Sequence, residues 1–408
     1  MDAIDVIVNS VLAIDAASFK DIKVMEKIRV VHHAKTVGFS GTDRTCQLFC
    51  KYLAKSEKYE PFIVYREGDL ANNRLAIVKQ WLGDDHVIPY QWTPGKKGRQ
   101  APYLPESDNL YDVLKQIDPQ IMHVHRSGYT EWPAFRYMAP KAKWIETNIF
   151  GFKDNAPEPQ IDVNVYISQY IRSTALGAGS VDGPVLYNPI EVPVLDVTTE
   201  NKEVCREHLL STFKLPHNAV ILGRVGRADN FDPISLRAFK AIEDVYSNAY
   251  YIVVNPCQGW HDTVRQLGIK NVCFSSPIVK DDELSKFYMG LDIYAHARHD
   301  GECCPCNIQE AMMHGLPVVS HESMIYNGQS EILAESGFVV PVGNHEAYRD
   351  VLMQLIANPE LATEDERSTI RLRQHFGREA RRRAMRHFEA STVTGQLMQI
   401  YDWTLANK

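Results

Sequence analysis

From residue 27 onward, short apolar runs alternate with amphipathic stretches. Lys27 to His33, Phe62 to Tyr65, His86 to Tyr90, Ile121 to His125 and Val163 to Ser168 are brief and rich in β-branched or aromatic residues. They read as strands. Between most of them, apolar positions recur at helical spacing: Thr42 to Ala54, Asn73 to Leu82, Asn109 to Ile117 and Gln169 to Ala175. A second series starts at the strand Ala219 to Gly223. It continues through helix Ser235 to Ser247, strand Tyr250 to Asn255, helix His261 to Leu267 and strand Asn271 to Phe274. Helix Asp281 to Gly290, strand Leu291 to Ala295 and strand Leu316 to Ser320 follow. Repeated βα units predict an α/β protein with parallel, doubly wound sheets. The loop Gly177 to Gly183 and the connector Glu191-Val-Pro-Val194 place a domain boundary near residue 190. Residues 1–26 read as an amphipathic extension that packs on the surface, the alternative being contact with a partner, and Glu364 to Leu405 as two long helices.

The length of 408 residues suits two or three domains, and 45% apolar with 23% charged residues is ordinary for a folded chain. A net charge of -7 argues against a general nucleic-acid binder. The eight cysteines show no regular disulfide spacing, which suits small buried side chains in a reducing compartment. No apolar run is long enough for a membrane span, and the N-terminus is a poor signal peptide. A cytoplasmic chain is expected. Peripheral membrane contact is kept open by two basic features: Thr93-Pro-Gly-Lys-Lys-Gly-Arg99, and the cluster Arg378, Arg381, Arg382, Arg383 and Arg386. The plainer reading of that cluster is a solvated helix face paired to carboxylates.

Chemistry concentrates in Glu302-Cys-Cys-Pro-Cys-Asn-Ile-Gln-Glu310. Pro305 suits a first helical position, with Cys304 as N-cap, so the N–H groups of Cys306, Asn307 and Ile308 point out of a helix start. Such an end carries partial positive charge and attracts phosphate. Glu310 can accept hydrogen bonds from a diol, and Glu302 faces whatever docks. Gly223-Arg-Val-Gly-Arg-Ala-Asp-Asn230 follows an apolar strand and ends where α/β sheets bind ligands. Its arginines suit a diphosphate, the alternative being simple pairing with carboxylates. Gly38-Phe-Ser-Gly-Thr-Asp-Arg44 is a small turn that lets amides approach a phosphate. His123 and His125 share a strand face and read either as hydrogen-bonded structural residues or as ligands. His32 and His33 are read as structural. Cys303, Cys304 and Cys306 invite a zinc reading, yet no partner knuckle exists. No D-x-D triplet is present.

Glu-x7-Glu followed by Glu310-Ala-Met-Met-His-Gly-Leu-Pro-Val-Val319 resembles the motif of nucleotide-sugar glycosyltransferases with the GT-B architecture, in particular the retaining family 4. The resemblance covers about Ala219 to Val342, and only short pieces before it. It implies two Rossmann-like domains facing each other across a cleft, residues 27–190 on the acceptor side and 191–389 on the donor side. A final helix, 390–408, would return to the first domain through Ile400, Tyr401 and Trp403. It assigns the diphosphate to Arg227, Gly41 and the helix start at Cys306 and Asn307, the ribose to Glu310 and the base to Ile278. The sugar falls to the catalytic candidates His125 and Glu302. Glu331 supports the site or is structural. No cofactor or metal is implied, and the acceptor is an unidentified carbohydrate, lipid-linked or protein group. The chain departs from the family at Cys303-Cys304-Pro305, where Gly-Phe-Gly is usual. It departs again at Asn230-Phe231-Asp232, where a lysine is usual. Two other readings remain: a nucleotide-sugar epimerase or hydrolase, and a non-catalytic binding protein.

Overall fold

The computed structural model describes residues 26–91, 109–126, 139–152, 161–362 and 369–407. The amphipathic extension, the basic loop at 93–99 and most of the loops expected to meet an acceptor lie outside the described residues. The first sheet contains β1 (Ile28–His33), β2 (Tyr59–Arg66), β3 (Val87–Tyr90), β4 (Ile121–Arg126), β5 (Lys143–Asn148) and β6 (Val163–Tyr166). The helices α1 (Gly41–Leu53), α2 (Leu75–Leu82), α3 (Leu110–Ile117) and α4 (Gln169–Gly177) accompany it. All neighbours pair in parallel, in the order β3-β2-β1-β4-β5-β6.

Helix α5 (Thr199–Phe213) leads into β7 (Val220–Arg224), α6 (Ile234–Glu243), β8 (Ala249–Val254), α7 (Gln258–Leu267) and β9 (Val272–Ser275). Then follow α8 (Asp281–Gly290), β10 (Ile293–Ala295), the two-residue strand β11 (Gly301–Glu302) and α9 (Cys306–Met313). The series continues with β12 (Val318–His321), β13 (Tyr326–Asn327), α10 (Gly328–Leu333), β14 (Phe338–Val340) and α11 (His345–Ala357). A short antiparallel pair, β15 (Glu360–Ala362) and β16 (Thr369–Arg371), precedes α12 (Leu372–His387) and α13 (Ala390–Ala406). The second sheet repeats the first, parallel in the order β9-β8-β7-β10-β12-β14. The fold is therefore α/β with two doubly wound, Rossmann-like parallel sheets. In each, strand order reverses beside the first strand of the series, between β1 and β4 and between β7 and β10, and that is where such sheets bind ligands. Both faces of each sheet are covered, so the strands read as near-continuous apolar runs.

Several expectations shift. Strand β5 and helices α5 and α11 were not read from the pattern. Ala390–Ala406 packs into the first domain through Val393, Leu397 and Tyr401, beside Val30, Phe49 and Tyr59. Ile400 is only partly buried against that core, and Trp403 is exposed. The arginine cluster meets backbone more than carboxylates. Arg383 donates to the carbonyls of Ile332 (2.7 Å) and Glu331 (2.8 Å), and Arg381 donates to that of Met313. These carbonyls end α10 and α9, where a cation is favourable. Of the cluster, Arg382 pairs with a carboxylate, that of Glu379.

Candidate active site

The ends of β1, β4 and β7, the loop after β10 and the starts of α1 and α9 line a cavity of about 850 Å³ between the domains. Each site residue expected from sequence lines it: Gly41, His125, Arg227, Ile278, Glu302, Cys306, Asn307 and Glu310.

Helix α9 begins one residue later than expected. Pro305 is the N-cap, with φ -76° and ψ 103°, so Cys304 is not. Among the described residues, the N–H groups of Cys306 and Asn307 have no partner, whereas that of Ile308 donates to Asn307 Oδ1 at 2.9 Å. The Asn307 amide also donates to the Val225 carbonyl at 2.9 Å, tying the helix start to the β7 turn. What Asn307 offers the cavity is therefore its backbone. Across the cleft, Ser40 caps α1 by accepting from the Asp43 N–H at 3.2 Å, which makes Gly41 the first helical residue. A Cβ built on Gly41 would lie 3.5 Å from the Cys306 Sγ. Two helix starts thus converge from opposite domains, and both favour negative charge.

The turn after β7 is built around Arg224. That side chain is fully buried, stacks 4.9 Å from the Trp260 ring and donates to the Asn230 carbonyl. A Cβ on Gly226 would lie 2.8 Å from its Nη2, so any larger residue there must push the guanidinium aside. Arg224 is thus the post of the turn and not a cavity residue. Arg227 is half open to solvent, and Asp229 holds its guanidinium through two hydrogen bonds.

Glu302 is buried and doubly engaged. Its Oε1 accepts from His296 Nε2 at 3.1 Å and its Oε2 from Arg298 Nη1 at 2.7 Å. Burial pushes its carboxyl pKa up, but His296 and Arg298 more than offset this, so the group is held below its ordinary value and ionised. It is a fixed anion with one partner on each oxygen, and it lines the cavity. Arg298, missed from sequence, lines the same cavity, and its buried Nε has no partner among the described residues. It brings a guanidinium to the cavity wall, ion-paired to Glu302. The only signal for it was its position just past a strand end.

Glu310 accepts from the Tyr288 hydroxyl at 3.0 Å, and burial raises its pKa despite that bond and Arg44 nearby. Burial raises the thiols of Cys303 and Cys306 to about 12, and that of Cys304 upward too. None of the three belongs to a candidate metal-ligand group among the described residues. Glu331 lies away from the cavity. It accepts from the N–H groups of Gln169 (2.9 Å) and Tyr170 (2.7 Å), capping α4 across the domain boundary. His125 lies at the end of β4, 2.9 Å from His32 through its Nε2.

No curated protein matches the sequence. The chain is similar to the solved structure of a glycosyltransferase from Rickettsia africae (17% identity, 94% of this chain and 100% of that one, TM-score 0.70). It is also similar to Anabaena HepE, solved with UDP-glucose (14%, 92% and 99%, TM-score 0.67). A third is WaaG, a glycosyltransferase of lipopolysaccharide biosynthesis (14%, 91% and 99%, TM-score 0.60). Residues 218–383 match the family described as glycosyl transferases group 1. The chain therefore has the GT-B fold, and within its second domain residues 218–383 are similar to the group 1 glycosyl transferases.

Proposed function

We propose that the chain transfers a sugar from a nucleotide-diphosphate sugar to an acceptor, with retention of anomeric configuration and without a metal. One observation carries this reading. Two helix N-termini, Arg227, Arg298 and Glu310 meet in one cavity where the strand order of both sheets reverses. The base and ribose sit against Ile278 and Glu310. The diphosphate lies between the amides of Cys306 and Asn307, the start of α1, and the two arginines. As the glycosidic bond breaks, charge builds on the departing phosphate. Each preorganised donor in a site shielded from water is worth about 3 kcal/mol at that moment. Glu302, locked by its own partners, fixes Arg298 rather than acting as a nucleophile. The acceptor hydroxyl attacks from the leaving-group side and gives its proton to the departing phosphate. Because HepE was solved with UDP-glucose, UDP and UDP-glucose are the first ligands to test.

The test is calorimetry with UDP-, GDP- and ADP-sugars, then repeated on Glu310→Ala, Arg227→Ala and Arg298→Ala. Each substitution removes a hydrogen bond involving a charged group, about 1.5 to 3 kcal/mol, or roughly 10- to 150-fold in Kd. Unchanged affinity in all three variants, or no binding of any nucleotide sugar, would remove the assignment.

A further inference from the structure

Behind His125 lies a buried chain of hydrogen-bonding groups that the reaction does not otherwise use. The Thr147 hydroxyl lies 2.7 Å from His123 Nε2, and His123 Nδ1 lies 2.7 Å from the Tyr401 hydroxyl. Tyr401 Oη is 3.1 Å from His32 Nε2, and His32 Nδ1 is 2.9 Å from His125 Nε2. All three imidazoles and Tyr401 are buried. His125 Nδ1, on the one imidazole of the three that lines the cavity, has no partner among the described residues. Burial pushes the His32 and His123 pKa values down and that of Tyr401 up, so these groups are neutral.

A neutral imidazole has one donor and one acceptor nitrogen. The chain therefore has only two consistent polarities, and fixing one bond fixes every other. The two bonds at Tyr401 differ in length. O–H donors make shorter hydrogen bonds than N–H donors, and a phenol donates better than it accepts. Its proton thus goes to His123 at 2.7 Å, and the oxygen accepts from His32 Nε2 at 3.1 Å. His32 Nδ1 is then an acceptor, and His125 Nε2 must donate to it.

We propose that Tyr401, from helix α13, acts through His32 as a positioning residue: it holds His125 as the Nε2–H tautomer and leaves Nδ1 as an acceptor for a hydroxyl of the bound sugar or its acceptor. The sugar part rests on the functional reading above; the tautomer part does not. A rival use of the same cluster exists. His32, Cys46 and Cys50 could hold a metal ion, and the Cys46 thiol lies against both His32 and His125. Both His32 nitrogens are already committed to Tyr401 and His125, so the hydrogen-bonded chain is the reading the geometry favours.

The experiment is ¹⁵N NMR of the histidine side chains in the full-length, ligand-free protein, with metal content measured on the same sample. The expected result is His125 protonated at Nε2 alone and a metal content far below one ion per chain. In Tyr401→Phe the Nε2–H form falls to a mixture with the Nδ1–H form. Tyr59→Phe, which removes a neighbouring hydroxyl outside the chain, leaves the tautomer as in the wild type. By calorimetry, Tyr401→Phe binds the nucleotide diphosphate like the wild type but the matching nucleotide sugar at least fivefold more weakly. Overturning results are Nδ1–H in the wild type, a doubly protonated ring paired with a Cys46 thiolate, a stoichiometric metal, or a tautomer unmoved by Tyr401→Phe. Should Tyr401→Phe fail to fold, Thr147→Val against Thr147→Ser tests the far end, with only the serine expected to keep the wild-type spectrum. Absence of nucleotide binding in the wild type would sink the transferase reading and leave the tautomer result standing.

Discussion

Asp43 sits in the first turn of α1 with its carboxyl buried, accepting from the Thr36 hydroxyl at 3.0 Å. Burial outweighs its hydrogen bonds to Ser40 and Thr36 and raises its pKa to about 6. The folded value lies above the ordinary 3.8, so the native state binds the proton more tightly than the unfolded chain. The stability cost therefore accrues as pH rises from about 4 to 6 and is complete above that, at most about 3 kcal/mol. Asp43→Asn is expected to unfold at a higher temperature than the wild type at pH 7.5, with the gap roughly halved at pH 5 and nearly closed at pH 4. A gap of the same size at pH 4 as at pH 7.5 would mean the gain comes from something other than the charge. The site carries the opposite case in Glu302, held below its ordinary value by His296 and Arg298, so its contribution is present at neutral pH and is lost as pH falls below the ordinary carboxylate range.

At the scale of elements, the loop through β11 is built on a close approach. Gly301 has φ +66°, and a Cβ there would lie 1.8 Å from the Tyr326 carbonyl oxygen. Gly268 has a similar φ of +63° and open space around it. Gly268→Ala costs the left-handed strain alone, about 1 to 2 kcal/mol. Gly301→Ala adds the collision and displaces Glu302, so its denaturation midpoint falls further and nucleotide affinity falls with it. Equal losses in the two variants would mean that β11 and β13 yield freely. The apolar strands and the helix at Glu310 were legible because each is a local pattern. Strand β5 was not: Lys143-Trp-Ile-Glu-Thr-Asn148 buries Glu146, Thr147 and Asn148, so its polar residues face inward and hide the apolar period. Helix α5 has weak amphipathic order, burying only Cys205, Leu209 and Leu210. The one-residue error at Pro305 arose because proline's fixed φ suits either the cap or the first helical position. Arg298 and the histidine–tyrosine chain were invisible because their partners lie on other elements. Tyr401 and His32 are 369 residues apart.

At the scale of the molecule, the domains are joined on two sides. On one, Tyr166, Ile167 and Ile171 share a core with Ile308, Met312, Ile332 and Leu333. On the other, Asp281 at the start of α8 reaches into the first domain. It accepts from Arg74 at 2.8 and 3.1 Å and from Arg44 at 2.8 Å. Arg74 is fully buried, its Nε held by Gln47 at 2.9 Å. Burial pushes the Asp281 pKa up, but the two arginines more than offset this and hold it below the ordinary range. Asp281→Ala strands a buried guanidinium at a cost of about 3 kcal/mol. The expected outcome is a lower melting temperature and a larger radius of gyration by solution scattering, as the cleft opens. A radius unchanged within error would show that the apolar side alone sets the closure. Helix α13 carries a different consequence. Its Val393, Leu397 and Tyr401 complete the core around Val30 and Phe49, so the unit that begins the chain is finished by residues made much later. At roughly 5 to 20 residues per second, translation from the end of that unit to Ala406 takes on the order of 10 to 40 s. During that interval the growing polypeptide holds an open apolar groove that only its own tail can fill. A chaperone able to shield that groove would have its natural moment there, before the finished protein leaves the ribosome.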